Sequence, residues 1–168
     1  MQNNIYLRHN AHYLIIKTMK KGILLFPLLA SIISFIGCSS REAPTFSTSD
    51  DQAIKQLLAE QQDAWNKGDL AMFMEGYHRS DTMQFVGKNG IRLGWQSTFD
   101  RYRESYPDTV VMGKLRFEIL KVNAIHHDAA FLTGKFFLKR SIGDAHGVFT
   151  LVLRKYDGKW VIVYDHTS

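Results

Sequence analysis

The sequence predicts an α+β domain, and three observations carry that prediction. Apolar residues recur at helical spacing from Ile54 to Tyr106, they alternate with period two from Leu115 onward, and Pro107 stands between the two regimes. Helices first and a strand meander afterwards place three N-terminal helices on one face of a curved antiparallel sheet. A sheet curved that strongly and closed by helices is a cone, and its interior is the natural place for a small-molecule site.

The chain ahead of the domain reads as an export signal. Met19-Lys20-Lys21-Gly22 supplies a charged start, Ile23 to Ile36 is an apolar run, and Gly37 precedes Cys38, the one cysteine of the chain. The run has 14 residues, too few for an ordinary membrane span of roughly 20. The pattern resembles a lipobox, in which Cys38 is acylated on sulfur and becomes the mature N-terminus. The alternative is an uncleaved anchor with an incidental cysteine. Either way the domain is expected at the cell envelope, facing the periplasm, and Ser39 after the cysteine favours the outer membrane. Met1 to Thr18 carries bases and no acid ahead of a better start at Met19, and is expected to be a mis-called extension. The expected organisation is therefore 1–18 extension, 19–37 signal peptide, 38–49 lipidated tether rich in Ser, Thr and Pro, and 50–168 folded domain.

Charge follows the same division. The chain has 21 bases and 16 acids, and the segment before Cys38 holds four of the bases and none of the acids. The 131 residues from Cys38 thus carry 17 bases against 16 acids, so the basic balance belongs to the signal and implies no nucleic-acid partner. A lone cysteine excludes a disulfide framework within the chain.

The elements follow in order. Ser49-Asp50-Asp51-Gln52 matches a capping box, Ile54, Leu57, Leu58 and Trp65 share one helical face, and Gly68 is the stop. Asp69 is placed to cap a second helix with Leu70, Phe73, Met74 and Tyr77 inward. A hairpin, Thr82–Val86 and Ile91–Leu93, turns at Asn89-Gly90. Trp95, Phe99, Tyr102 and Tyr106 then line a third helix that Pro107 ends. Leu115, Phe117 and Ile119 open the meander. His126-His127-Asp128 and Ser141 to Ala145 are its loops, and Asp157-Gly158 is a two-residue hairpin turn before Lys159 to His166.

This order, with Gly68-Asp69 between two helices and the ending Gly158-Lys159-Trp160-Val161-Ile162-Val163-Tyr164-Asp165-His166, resembles the nuclear transport factor 2-like superfamily. Gly94-Trp95-Gln96, Gly147-Val148-Phe149-Thr150 and Tyr164 to Ser168 resemble its SnoaL-like branch called domain of unknown function 4440. The ending is also similar to the association domain of calcium/calmodulin-dependent kinase II, a non-catalytic oligomerisation module. The resemblance implies the cone-shaped fold over Asp50 to Ser168 but no single activity, because one fold hosts isomerases, dehydratases, cyclases, binders and assembly domains.

Ketosteroid-isomerase-like chemistry needs a carboxylate base on the first hairpin and acidic donors for the enolate oxygen. Counted from Gly68-Asp69, the base position is Phe85 and the donor position Gln61, and neither can do the work. His166 is the candidate base instead, if Trp160, Ile162, Tyr164 and His166 share the helix-facing side; otherwise it hydrogen-bonds with Tyr164 across a packed sheet. On that parity Asp165 points away. Asp81 reads as a turn residue, and His78 and Arg79 as cations at a helix C-terminus. His126, His127 and Asp128 should diverge on a tight hairpin, so no metal and no cofactor is expected.

Trp65, Tyr77, Phe85, Trp95 and Tyr102 come from the elements that should line the cone, and either fill it as core or wall an apolar pocket closed by His166. The pocket reading suits a small apolar organic ligand. Two function classes follow: a membrane-anchored binding or assembly module, or an acid–base enzyme of isomerase, dehydratase or cyclase type. Phe131, Phe136, Phe137, Leu138, Phe149, Leu151 and Leu153 exceed what one sheet face needs, so a homodimer through the sheet is expected.

Overall fold

The computed structural model describes residues 43–168, and the expected extension, signal peptide, Cys38 and the tether as far as residue 42 lie outside the described residues. Among the described residues no helix is long and apolar enough to cross a membrane. The compact unit runs from Pro44 to Ser168. Its helices are α1 (Thr48–Lys67), α2 (Leu70–Met74), α3 (Trp95–Ser105) and the single turn α4 (Thr109–Met112). Its strands are β1 (Gln84–Gly87), β2 (Gly90–Leu93), β3 (Lys114–His126), β4 (Ala129–Lys139), β5 (Ala145–Tyr156) and β6 (Lys159–Thr167).

Folding begins earlier than the capping pattern suggested. Ser47, not Ser49, is the N-cap of α1, and it exchanges hydrogen bonds with Asp50. Asp50 is what moves the boundary. Its carboxylate is buried and also accepts from Lys155 Nζ at 2.6 Å and from the Trp160 indole N–H at 3.0 Å. The helix start is thereby tied to β5 and β6. Phe46, ahead of the cap, meets Trp160 edge-on at 5.8 Å. Packing of the compact unit thus starts ahead of Asp50, where the sequence placed the domain boundary.

Gly68 closes α1 in the left-handed conformation at φ 80°, and Asp69 caps α2 by accepting from the Met72 N–H at 2.9 Å, both as expected. The helix ends at Met74, before Tyr77, which instead forms a parallel bridge to Ile162. Tyr77 therefore reaches the sheet directly. The expected Asp157-Gly158 turn is present with both residues at positive φ, the signature of a type I′ hairpin. The first hairpin turns one residue earlier than expected, on Lys88-Asn89 between paired Gly87 and Gly90.

The sheet order is β2-β1-β6-β5-β4-β3. It is mixed rather than wholly antiparallel, because β1 runs parallel to β6 and brings Phe85 opposite Asp165. Register shifts after Ile119 and Ala124 in β3 leave Leu120 and Ile125 exposed, and bulges of this kind add curvature. A third irregularity is in β6, where Ile162 pairs Leu153 and Tyr164 pairs Val152, leaving Val163 as the extra residue.

One hydrophobic core fills the concave side. It gathers Ile54, Leu58 and Trp65 of α1, Phe73 and Met74 of α2, and Leu132, Leu151 and Ile162 of the sheet. Phe136, Leu138, Phe149, Leu151 and Leu153 all belong to this side, being core or packed on it. Of the residues expected to burden the outer face, only Phe131 and Phe137 alternate away from the core, and the Arg116 guanidinium covers Phe137 at 4.0 Å. The outer face is less apolar than the sequence suggested.

Candidate functional site

A cavity of about 270 Å³ remains inside the cone. Its wall is a chain of rings supplied by α1, α2, α3 and β1. Trp65 meets Phe73 at 5.1 Å and Tyr106 at 4.7 Å, Phe73 meets Tyr102 at 5.5 Å, and Tyr102 meets Phe85 at 6.0 Å, all edge to face. That geometry sets positive ring edges against negative faces, and makes a stiff wall rather than a collapsible one. Leu115, Phe117, Leu138, Phe149 and Leu151 of the sheet form the opposite wall. The rings thus do both jobs that the sequence left open, packing the core and bounding a space.

The directing polar group is Asp165. Its side chain lines the cavity and is 4% exposed. Oδ2 accepts from the Tyr77 hydroxyl at 2.7 Å, and Oδ1 accepts from the Thr167 hydroxyl at 2.7 Å. Burial pushes the Asp165 carboxyl up to about 6, against the lowering pull of those two hydroxyls and of His166. Desolvation wins because two neutral donors compensate a buried charge only in part. Tyr77 and Tyr102 are both held well above the ordinary phenol value, first by burial and then by the nearby Asp165 charge. Both remain proton donors throughout the physiological range.

His166 does not take the place expected of it. It is exposed, and it is not among the cavity-lining residues. The physical reason is the extra residue Val163. Strict alternation from Trp160 and Ile162 would carry Tyr164 and His166 inward, but the bulge turns Asp165 and Thr167 inward instead. Trp95 is also absent from the lining. It is buried with its indole N–H on the Met74 carbonyl at 2.9 Å, under the Arg79 guanidinium, and so supports the wall from behind. Trp65, Tyr77, Phe85 and Tyr102 do line the cavity.

The residues at the two isomerase-like positions, Gln61 and Phe85, also line it. Gln61 gives its amide N–H to the Phe73 carbonyl at 3.0 Å and has no acidic proton to offer. Phe85 is no base, yet its register partner across the parallel β1–β6 pair is Asp165. A carboxylate therefore stands one strand away from where the chemistry of that fold would first be sought. Val161-Ile162-Val163-Tyr164, a run without alternation, is the one sequence signal of the parity change.

Elsewhere, His126, His127 and Asp128 converge rather than diverge, with their ligand-type atoms within 4.8 Å. His126 Nδ1 lies 2.6 Å from Asp128 Oδ1, while Oδ2 of the same carboxylate takes the Arg154 guanidinium at 2.9 Å. Hydrogen bonding of the hairpin tip accounts for the arrangement. His78 stacks on Tyr156 at 4.6 Å, and Asp81 sits exposed in the turn before β1.

Helices on a curved six-stranded sheet around such a cavity define a cone-shaped nuclear transport factor 2-like domain. The sequence profile of the SnoaL-like domain matches residues 54–168, and the chain belongs to that family. A nuclear transport factor 2-like protein of unknown function from Shewanella oneidensis is 38% identical, with a TM-score of 0.68. The match covers 70% of this chain and 98% of that one, so that protein is little more than this unit standing alone. A ketosteroid isomerase-like protein from Erwinia carotovora atroseptica shares the fold at 18% identity and a TM-score of 0.57, over 73% of this chain and 97% of that one. A putative calcium/calmodulin-dependent protein kinase II association domain from Xanthomonas campestris does so at 18% and 0.56, over 73% and 87%. No curated protein matches the chain.

Proposed function

We propose that this domain binds a small, mainly apolar organic molecule in the aromatic cavity and directs one polar function of it at the Asp165–Tyr77 pair. The observation that carries the reading is a buried carboxylate facing open space. A carboxyl desolvated in a filled core is a cost without return, whereas in a cavity it is a recognition group. Native mass spectrometry of the folded unit, purified gently, tests it. A stoichiometric small-molecule adduct is the expected result. A bare mass, with no thermal shift from small ketones, lactones or acids, would sink the reading.

Acid–base catalysis is the second reading, and the raised Asp165 favours it. A base whose proton affinity lies near the working pH both accepts and returns a proton efficiently. Asp165 would take a proton from carbon next to a carbonyl, and a tyrosine hydroxyl would hold the enolate oxygen while the same proton returns elsewhere on the molecule. Asp165→Asn should then abolish turnover while leaving binding. Equal turnover in Asp165→Asn would eliminate this reading alone.

The narrower branch, domain of unknown function 4440, rests on the Gly94-Trp95-Gln96 and Tyr164 to Ser168 phrases. Lipid on Cys38 anchors the domain at the envelope, and a Cys38→Ser chain recovered in the soluble periplasmic fraction is the expected outcome. A homodimer through the outer sheet face rests on Phe131, Val148, Val152 and Tyr164 there; a monomeric sedimentation profile at tens of micromolar would remove it.

A further inference from the structure

We infer that the ligand of this cavity is an amphipathic organic anion, with an apolar body among the rings and a carboxylate or sulfonate head at the mouth. The inference rests on the cavity being a small-molecule site, and adds the charge of what it holds.

Charge around the cavity is divided by depth. Its one acid is Asp165, buried at the inner end of the Tyr77 hydrogen bond. Its bases are Lys88, Arg92 and Arg101, all on the exposed or half-exposed hairpin and α3 where the cavity meets solvent. No other acid lines it. Among the described residues Lys88 and Arg92 enter no ion pair, and Arg92 has only a 3.4 Å contact to the Ser97 hydroxyl. Arg101 shares Glu104 at 3.3 Å, an exposed pair that leaves most of its charge available.

This clustering is not a consequence of a basic protein, because from Cys38 onward the chain is almost neutral. Three cations over an apolar cleft concentrate positive potential at its opening, since the low-dielectric wall screens poorly. An uncharged ligand draws nothing from that field. An anionic head is attracted to the mouth and repelled from Asp165, and both forces orient the molecule the same way. The volume of about 270 Å³ lies at the small end of ligand cavities, which limits the body to one or two rings or a short chain.

A pair of two-ring dyes with one aromatic body isolates the head group: 5-dimethylaminonaphthalene-1-sulfonate and its uncharged counterpart, the corresponding sulfonamide. Both are titrated by fluorescence into the folded unit Pro44–Ser168, whose whole core lies within itself and whose Shewanella relative is matched over 98% of its solved chain. The sulfonate should bind about tenfold tighter, displace the neutral dye one for one, and lose its advantage as salt rises. The double substitution Lys88→Gln with Arg92→Gln, at an exposed and a half-exposed position, should cut the affinity ratio about tenfold. Equal affinities, or a ratio untouched by that substitution and by salt, would overturn the inference and leave the cavity reading standing. Binding of neither dye would overturn both.

Discussion

Tyr77 and Asp165, 88 residues apart in sequence, are joined by a 2.7 Å hydrogen bond in which the buried phenol donates to the buried carboxylate. Two local accidents of the chain make this contact. The second helix stops at Met74, freeing Tyr77 to bridge Ile162, and the Val163 bulge turns Asp165 toward it. The pair therefore reports on the cavity, on the bulge and on the electrostatics at once.

The pH dependence of stability should carry its signature. Asp165 is raised from 3.8 to about 6 in the folded state, so folding favours its protonated form. Its contribution is fully present below pH 3.8 and is lost as pH rises through about 6, a change of about 3 kcal/mol at most. Urea unfolding at pH 4.5 and pH 7.5 should show the chain more stable at the lower value, with Asp165→Asn flattening the difference. A parallel pH profile in the Asn variant would mean that Asp165 is not desolvated in solution.

Removing the phenol hydroxyl should act on the same quantity. In Tyr77→Phe the carboxylate loses one of two donors and its pKa should climb further above 6. The expected cost at pH 7.5 is about 1–3 kcal/mol, shrinking at pH 4.5 where the neutral acid needs less support. An equal cost at both pH values would assign the loss to packing rather than to the hydrogen bond.

Much of this architecture was legible in the sequence. The Gly68-Asp69 break, the Asp157-Gly158 hairpin and the switch from helical to alternating period are local signals, and local physics decides them. The site was half legible. Trp65, Tyr77, Phe85 and Tyr102 line the cavity as their positions implied. Asp165 was missed because a single bulge residue inverts the parity of everything after it, and pairing geometry, not the strand's own sequence, sets where the bulge falls. The capping box erred for a related reason. Ser49 fits the local pattern as well as Ser47 does, but the Asp50 carboxylate is bound from β5 and β6, which no window around α1 contains.

Asp50 should accordingly be a larger contributor to stability than its place at a helix start suggests. Its carboxylate accepts from Lys155, Ser47 and Trp160, and those bonds, the Lys155 ammonium first, hold its pKa well below the ordinary value. Asp50→Ala strands all three partners and should cost about 2–4 kcal/mol in chemical unfolding. Asp51→Ala, which breaks only an exposed pair with Lys55, should cost under about 0.5 kcal/mol. The Asp50 contribution is present above pH 3.8 and fades as acid drives the solution down toward its lowered folded value. It therefore runs opposite to Asp165 and acts in a lower window.

Gly76 offers a way to narrow the cavity from behind its wall. A Cβ there would stand 2.6 Å from Gln61 Nε2 and 2.7 Å from Gln61 Cδ, closer than real contacts allow. The backbone cannot retreat, because the Gly76 carbonyl accepts from the Ile162 N–H at 2.9 Å. Gly76→Ala must therefore displace the Gln61 side chain from its bond to the Phe73 carbonyl, and the open direction is the cavity that Gln61 lines. The expected result is a loss of about 1–3 kcal/mol in stability together with weaker binding of the neutral dye. Gln61→Ala in the same chain removes the obstructing amide, so the double variant should recover dye affinity and cost less than the two single changes added. Strict additivity in both readouts would show that Gly76 acts through the backbone, and that the amide of Gln61 does not border the ligand's space.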